Sequence, residues 1–155
     1  MVISEILPEL YVGPCPVTTE DLDALRREHG ISAVVNLQSE EDIRQIGYDW
    51  KGLKRHYRQA KMELRHVPIQ DFDPEDLRKH LPACVQALNE LLRDDHIVYV
   101  HCTQGVGRAP TVVVTYLHWI QQWDLDEALR HVSARRRCSP DTEAIRLASE
   151  DLLVD

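Results

Sequence analysis

Cys102 and Arg108 are the pair of residues in this chain whose types and spacing suggest chemistry, with five residues between them. The stretch Val98-Tyr99-Val100-His101-Cys102-Thr103-Gln104-Gly105-Val106-Gly107-Arg108 reads as a short buried strand, then a loop with two glycines; an apolar helix follows. A loop wrapped between a strand end and a helix N-terminus turns several backbone N–H groups inward, and the helix dipole adds partial positive charge. Such a nest accepts a doubly charged anion the size of phosphate. Gly105 and Gly107 permit positive φ and close approach of backbone to anion. Arg108 can grip two phosphate oxygens as a bidentate fork. A free thiol titrates near about 8.5, and cationic surroundings lower that to roughly 3.5–7.5. The field that attracts a phosphate therefore also favours a cysteine nucleophile at its centre.

This stretch resembles the signature loop of the cysteine-based phosphatases, His-Cys-x-x-Gly-x-x-Arg, and within them the dual-specificity group. A structural cysteine in a strand-to-helix turn explains neither the glycines nor the arginine. A rhodanese-like sulfurtransferase holds its anion over a shorter loop. The resemblance implies an α/β fold, a central mostly parallel sheet flanked by helices. It implies a phosphate monoester hydrolase with a phosphocysteine intermediate on Cys102. Thr103, Gln104, Gly105, Val106, Gly107 and Arg108 would bind the phosphate, and no metal or organic cofactor is expected. The rival from another class is a catalytically idle phosphate-binding module, which usually lacks the Cys, the Arg or the acid.

The elements that must position this loop can be read along the chain. A single domain over 1–155 is expected. Ile6 to Pro14 reads as one opening strand ended by a turn. Thr18 or Thr19 caps a helix to about His29, stopped by Gly30. Ile31 to Leu37 is an apolar run suited to a strand buried on both faces. Asn36 at its end either hydrogen-bonds the signature loop or is a plain turn residue. Ser39 to Tyr57 reads as a short helix and a loop, whose Tyr48, Trp50 and Tyr57 either contact substrate at the rim that the resemblance implies there or, the favoured reading, pack beneath the loop. Leu64 to Ile69 is the next strand. A helix over Pro74 to Arg93 carries Leu77, Leu81, Val85, Leu88 and Leu92 on one stripe. The helix after Arg108 is apolar nearly all round and should lie behind the loop. Asp124 caps the next helix, and Ser139 with Pro140 opens the last, whose Ile145, Ala148 and Leu152 should pack inward. Alternating strands and helices agree with the α/β reading.

Cleaving a phosphate ester needs an acid for the leaving oxygen. Members of the resembled family carry an aspartate on a loop upstream of the cysteine, which points to Asp71 or Asp73. Asp73 precedes Pro74 and suits the N-cap, so Asp71 is the expected acid. Phe72 and Arg137 are expected at the substrate rim; the run Arg135-Arg136-Arg137 is either a solvated face or, beside the pocket as the resemblance implies, a source of positive charge there.

The net charge is −8, which argues against nucleic acid or an anionic membrane as a partner. No apolar run approaches membrane-spanning length. Cys15, Cys84, Cys102 and Cys138 have no disulfide or zinc spacing, so reduced thiols, a cytoplasmic location and no metal are expected. A monomer is the expected state.

Within the family the chain most resembles the glucan phosphatases of the laforin and starch-excess type. Asn36-Leu37-Gln38, Gln70-Asp71-Phe72-Asp73 and Thr103-Gln104-Gly105-Val106-Gly107-Arg108-Ala109-Pro110 carry that likeness. Two departures bear on substrate. Gln45-Ile46 stand where an aromatic pair is expected, and Ser139 follows Cys138 where an aromatic is expected. The substrate implied is a phosphorylated glucan or, failing the aromatic platform, a phosphoprotein. Ala109 also lacks the hydroxyl that many dual-specificity enzymes carry after the arginine, although Thr111 is close in sequence.

Overall fold

The computed structural model describes residues 1–154. The chain opens with β1 (Ser4–Leu7) and β2 (Leu10–Gly13), an antiparallel hairpin. The sequence suggested one strand here. Pro8 has no N–H to give a ladder and its fixed φ favours a turn, so Leu7 pairs back onto Leu10. α1 (Thr19–His29) follows, with a reciprocal Thr18–Asp21 capping box and a left-handed Gly30 at its end. Next come β3 (Ala33–Asn36), α2 (Glu40–Ile46), α3 (Trp50–Gln59) and β4 (Glu63–His66). The stretch 39–57, expected as a short helix and a loop, thus holds two helices, capped by Ser39 and Asp49. α4 (Pro74–Arg93), β5 (Val98–His101), α5 (Arg108–Trp119), α6 (Leu125–Arg135) and α7 (Thr142–Asp151) complete the chain.

The sheet order is β1-β2-β5-β3-β4, with every pair after the first hairpin parallel. All residues of β2, β3 and β5 are buried, as strands covered on both faces must be. Period two sends Val35, Val98 and Val100 to one face and Val34 and Tyr99 to the other. The first face is covered by α4 to α7, through Leu81, Leu88, Val112, Val132 and Ile145. The second is covered by Leu22 and Leu25 of α1 and by Leu53 and Tyr57 of α3. Tyr48 and Trp50 also pack against this second core, as the sequence suggested.

β5 lies between β2 and β3 although it is last in sequence, so the connections leaving β3 and β5 diverge at their carboxyl ends. In open α/β sheets that divergence leaves the crevice where ligands bind. Two helix ends differ from expectation. α7 is capped by Asp141, not Ser139, because the Asp141 carboxylate accepts from the Ala144 N–H. Leu152 lies past the end of α7 and is exposed.

Candidate active site

The loop from β5 to α5 crosses the carboxyl end of β5, and α5 starts at Arg108. Cys102, Thr103, Gln104, Val106, Gly107 and Arg108 line a cavity of about 540 Å³ together with Gln70, Asp71, Phe72, Asp73, Ser139 and Asp141. The structure thus brings Asp71 and Phe72 up to Cys102 and Arg108, which lie on a different loop far along the chain. Cys102 is 3% exposed, at the cavity floor.

Only one of the two glycines needs its conformational freedom. Gly105 has φ +70°, and an added Cβ would lie 2.5 Å from Gly13 O and 2.8 Å from Arg136 Nη2. Gly107 has φ −113° and open space around it.

Arg108 is buried and tethered. Its Nη1 donates to Asp42 Oδ2 at 2.6 Å and to Ile69 O at 2.8 Å, and its Nη2 lies 3.4 Å from Asp71 Oδ2. Burial alone would raise the Asp42 pKa. Hydrogen bonds from Arg108 and from the Ser39 backbone outweigh burial and hold it below the usual carboxylate range. The sequence reading missed Asp42, which sits 66 residues before its partner. A signal existed in Ser39-x-x-Asp42, a capping-box pattern placing an acid at a helix start directly after β3.

His101 is fully enclosed. Burial lowers its pKa to about 4, and its hydrogen bond to Cys102 O works the other way. The ring is therefore neutral near pH 7; Nδ1 donates to Cys102 O at 2.9 Å, and Nε2 has no protein partner among the described residues.

Of the readings left open for Asn36, the structure bears out the turn residue. Asn36 Oδ1 accepts from the Gln38 N–H at 2.8 Å, and Gln38 makes the loop contact, donating from Nε2 to Thr103 Oγ1 at 3.1 Å. Tyr48 Oη in turn donates to Gln38 Oε1 at 2.7 Å. Thr111 Oγ1 is not free toward the cavity, since it donates to Gly107 O and accepts from the Asp141 N–H.

The loop between β4 and α4 divides its aspartates. Asp73 caps α4, accepting from the Asp76 N–H at 3.0 Å. Asp71 bonds only the Phe72 N–H, at 3.1 Å, and keeps its other oxygen toward Arg108. Phe72 takes φ +58° and is 97% exposed.

The expected arginine rim is not there. Arg137 is exposed and away from the cavity, Arg135 bonds His131, and Arg136 turns onto the outside of the loop. α6 ends just before Arg136, whose extended backbone aims its side chain at the loop and leaves Arg137 facing solvent. The charged groups lining the cavity are Arg108 and the carboxylates of Asp71, Asp73 and Asp141.

Residues 10–146 match the catalytic domain of the dual specificity phosphatases. The chain is 40% identical over 151 residues to the phosphoglucan phosphatase DSP4, amyloplastic, of Castanea sativa, covering 96% of this chain and 40% of that protein. It is 37% identical to the phosphoglucan phosphatase LSF1, chloroplastic, of Arabidopsis thaliana and 32% identical to laforin of Mus musculus. These matches cover 97% and 96% of this chain but 25% and 48% of those proteins, so the chain spans less than half of each relative. Among solved structures, Tk-PTP in its active form superposes with a TM-score of 0.75 at 25% identity, covering 97% of this chain and 95% of that one. The human tyrosine phosphatase-like serine/threonine/tyrosine-interacting protein has the same fold, with a TM-score of 0.77 at 21% identity over 98% of this chain and 96% of that one. A strand-to-helix anion nest around Cys102, a tethered Arg108 and the match over 10–146 together make this chain a member of the dual specificity phosphatase catalytic-domain family.

Proposed function

We propose that this chain hydrolyses phosphate monoesters through a phosphocysteine on Cys102, with a phosphorylated glucan as substrate. The observation that carries the reading is the convergence of Cys102, Arg108 and Asp71 on one cavity at the carboxyl end of the sheet. The Cys102 thiolate attacks phosphorus in line, forming an S–P bond as the bond to the leaving oxygen breaks. Asp71 gives that oxygen its proton. Arg108 and the loop N–H groups stabilise the charge on the equatorial oxygens. Water then attacks phosphorus, Asp71 takes its proton, and the S–P bond breaks to release orthophosphate and thiolate. With Ala109 lacking a hydroxyl and Thr111 Oγ1 committed to Gly107 O, the second step is the slow one. A burst of leaving group, stoichiometric with enzyme, is the expected trace.

The glucan reading rests on the phosphoglucan phosphatases and laforin among the relatives. The charge around the cavity supports it. One arginine among three carboxylates suits a lone phosphate on a neutral sugar better than an acidic phosphopeptide. The second reading, a protein phosphatase, is favoured by the thin aromatic platform: among the described residues Phe72 is the one aromatic lining the cavity, and Gln45 and Ile46 are exposed. Phosphate release from phosphorylated amylopectin beside a phosphotyrosine peptide separates the two, with Cys102→Ser as blank. Faster release from amylopectin is expected. Cleavage of the peptide alone would replace the glucan reading with the second one, and turnover by Cys102→Ser would sink the phosphocysteine mechanism. The four free cysteines suit a reducing compartment, and we propose the cytoplasm. Imaging of a tagged protein tests this against the plastid locations in the plant relatives' names.

A further inference from the structure

We infer that Arg136, which touches no reacting atom, is the positioning residue that keeps the middle of the phosphate loop turned to receive its anion. The inference rests on the proposed binding of phosphate by that loop.

The carbonyls of the loop are held from outside one after another. His101 Nδ1 takes Cys102 O, and the Cys15 N–H takes Thr103 O at 2.9 Å. Arg136 takes the next two, with Nη2 on Gln104 O at 2.9 Å and Nε on Gly105 O at 2.7 Å. The Ser139 N–H takes Val106 O at 2.8 Å, and Thr111 takes Gly107 O through both its N–H and its hydroxyl. In a trans peptide the C=O and the following N–H point in opposite directions. Each carbonyl tied outside therefore sends the next N–H inward, from Thr103 to Arg108. Among the described residues, none of the N–H groups of Thr103 to Gly107 donates to another protein group outside regular helix and strand bonding.

The two ends of this arc are held by backbone and by residues next to the loop. The middle two carbonyls depend on one distant side chain. Loss of Arg136 frees the Gln104–Gly105 and Gly105–Val106 peptides to rotate, and Gly105, at φ +70° without a Cβ, is the residue least able to resist. The remaining nitrogen, Nη1, donates to Val2 O at 2.8 Å and to Ser4 Oγ at 3.2 Å, so the fork is fixed at its far edge by the first strand. A fork is required, since two carbonyls are held by two nitrogens of one plane. A lysine would keep the charge but offer one nitrogen in place of the planar fork, with nothing to fix the two carbonyls in their relative orientation.

The test is calorimetric titration of inorganic tungstate, a phosphate mimic, into Arg136→Met, Arg136→Lys and wild type, well below each variant's melting temperature. Arg135→Met serves as a charge-matched control. Binding weakened about tenfold or more in both Arg136 variants is expected, short of the roughly 10²–10³ lost when an oxyanion donor is deleted. Added guanidinium should restore part of it to Arg136→Met, and Arg135→Met should bind as wild type. Tungstate affinity unchanged in a folded Arg136→Lys, or weakened equally by Arg135→Met, would overturn the inference and point to charge or general stability. If Arg136→Met does not fold, Arg136→Lys decides alone. No binding to wild type would overturn the phosphate-loop reading and this inference with it, whereas wild-type binding with unaffected variants overturns only the inference.

Discussion

The floor and the rim of the cavity are built in opposite ways. The floor, from Cys102 to Arg108, has each carbonyl from Cys102 to Gly107 tied from behind, and its arginine is 6% exposed with a buried carboxylate on one nitrogen. The rim, from Gln70 to Asp73, is exposed and held mainly by short-range bonds, with Phe72 standing out at 97% exposure. Groups that must meet a transition state benefit from being fixed before it forms. Groups that choose a substrate can sit on a surface loop, where a change of residue costs the fold little.

The sharpest break in this comparison is Asp71, the one rim residue to which the proposed mechanism gives a role in the chemistry. Asp71→Asn should lower kcat by about 10²–10⁴, the usual worth of a general acid. The loss should be greater for a sugar phosphate than for nitrophenyl phosphate, whose leaving group needs no proton. Equal losses on both substrates would deny it the acid role.

Next is the floor's buried pair. Asp42→Ala takes from the buried Arg108 its one buried carboxylate and leaves it the more exposed Asp71 alone, so unfolding free energy should drop by about 3 kcal/mol in urea at pH 7. KM should rise as the guanidinium loses its register. A change within about 0.5 kcal/mol would mean that the floor is not held as described.

The floor should also be sensitive to acid through His101. Its folded pKa, about 4, lies below the ordinary 6.5. Between those values the unfolded chain binds a proton that the folded chain does not, so stability should fall as pH drops from 6.5 toward 4 and be complete above that window. The shift corresponds to roughly 3 kcal/mol. Denaturant titrations at pH 7 and pH 4.5, on wild type and His101→Asn, measure it; an equal pH slope in both would remove His101 as the cause.

The smallest effect belongs to the rim. Phe72→Ala should leave stability within about 0.5 kcal/mol. Activity on amylopectin should fall by about tenfold, matching the roughly 1–1.5 kcal/mol of an aromatic contact, with nitrophenyl phosphate unaffected. Equal losses on both substrates would make Phe72 a support for Asp71 rather than a contact for sugar.

Features whose cause is local were legible in the sequence. Thr18, Asp73 and Asp124 cap helices, and Gly30 ends one, because each acts on backbone within a turn of itself. Where several local choices were open, packing chose. The last helix could start at Ser139 or Asp141, and Ser139 is used instead to donate its N–H to Val106 O. In the arginine run, three like residues differ only in direction, and the end of α6 decides that Arg136 meets the loop while Arg137 meets water.

By itself the sequence determined the strand, loop and helix around Cys102, the alternation that makes an α/β sheet, and Asp73 as the cap of α4. These follow from spacing, period and capping, which act over a few residues. Only the tertiary structure decided that Asp42 holds Arg108 and that Arg136 holds Gln104 and Gly105. It also decided that the cavity carries one cation among three carboxylates. Those partners are separated by 66, 32 and 31 residues, and they meet because β5 inserts between β2 and β3 and brings both ends of the chain to one edge of the loop.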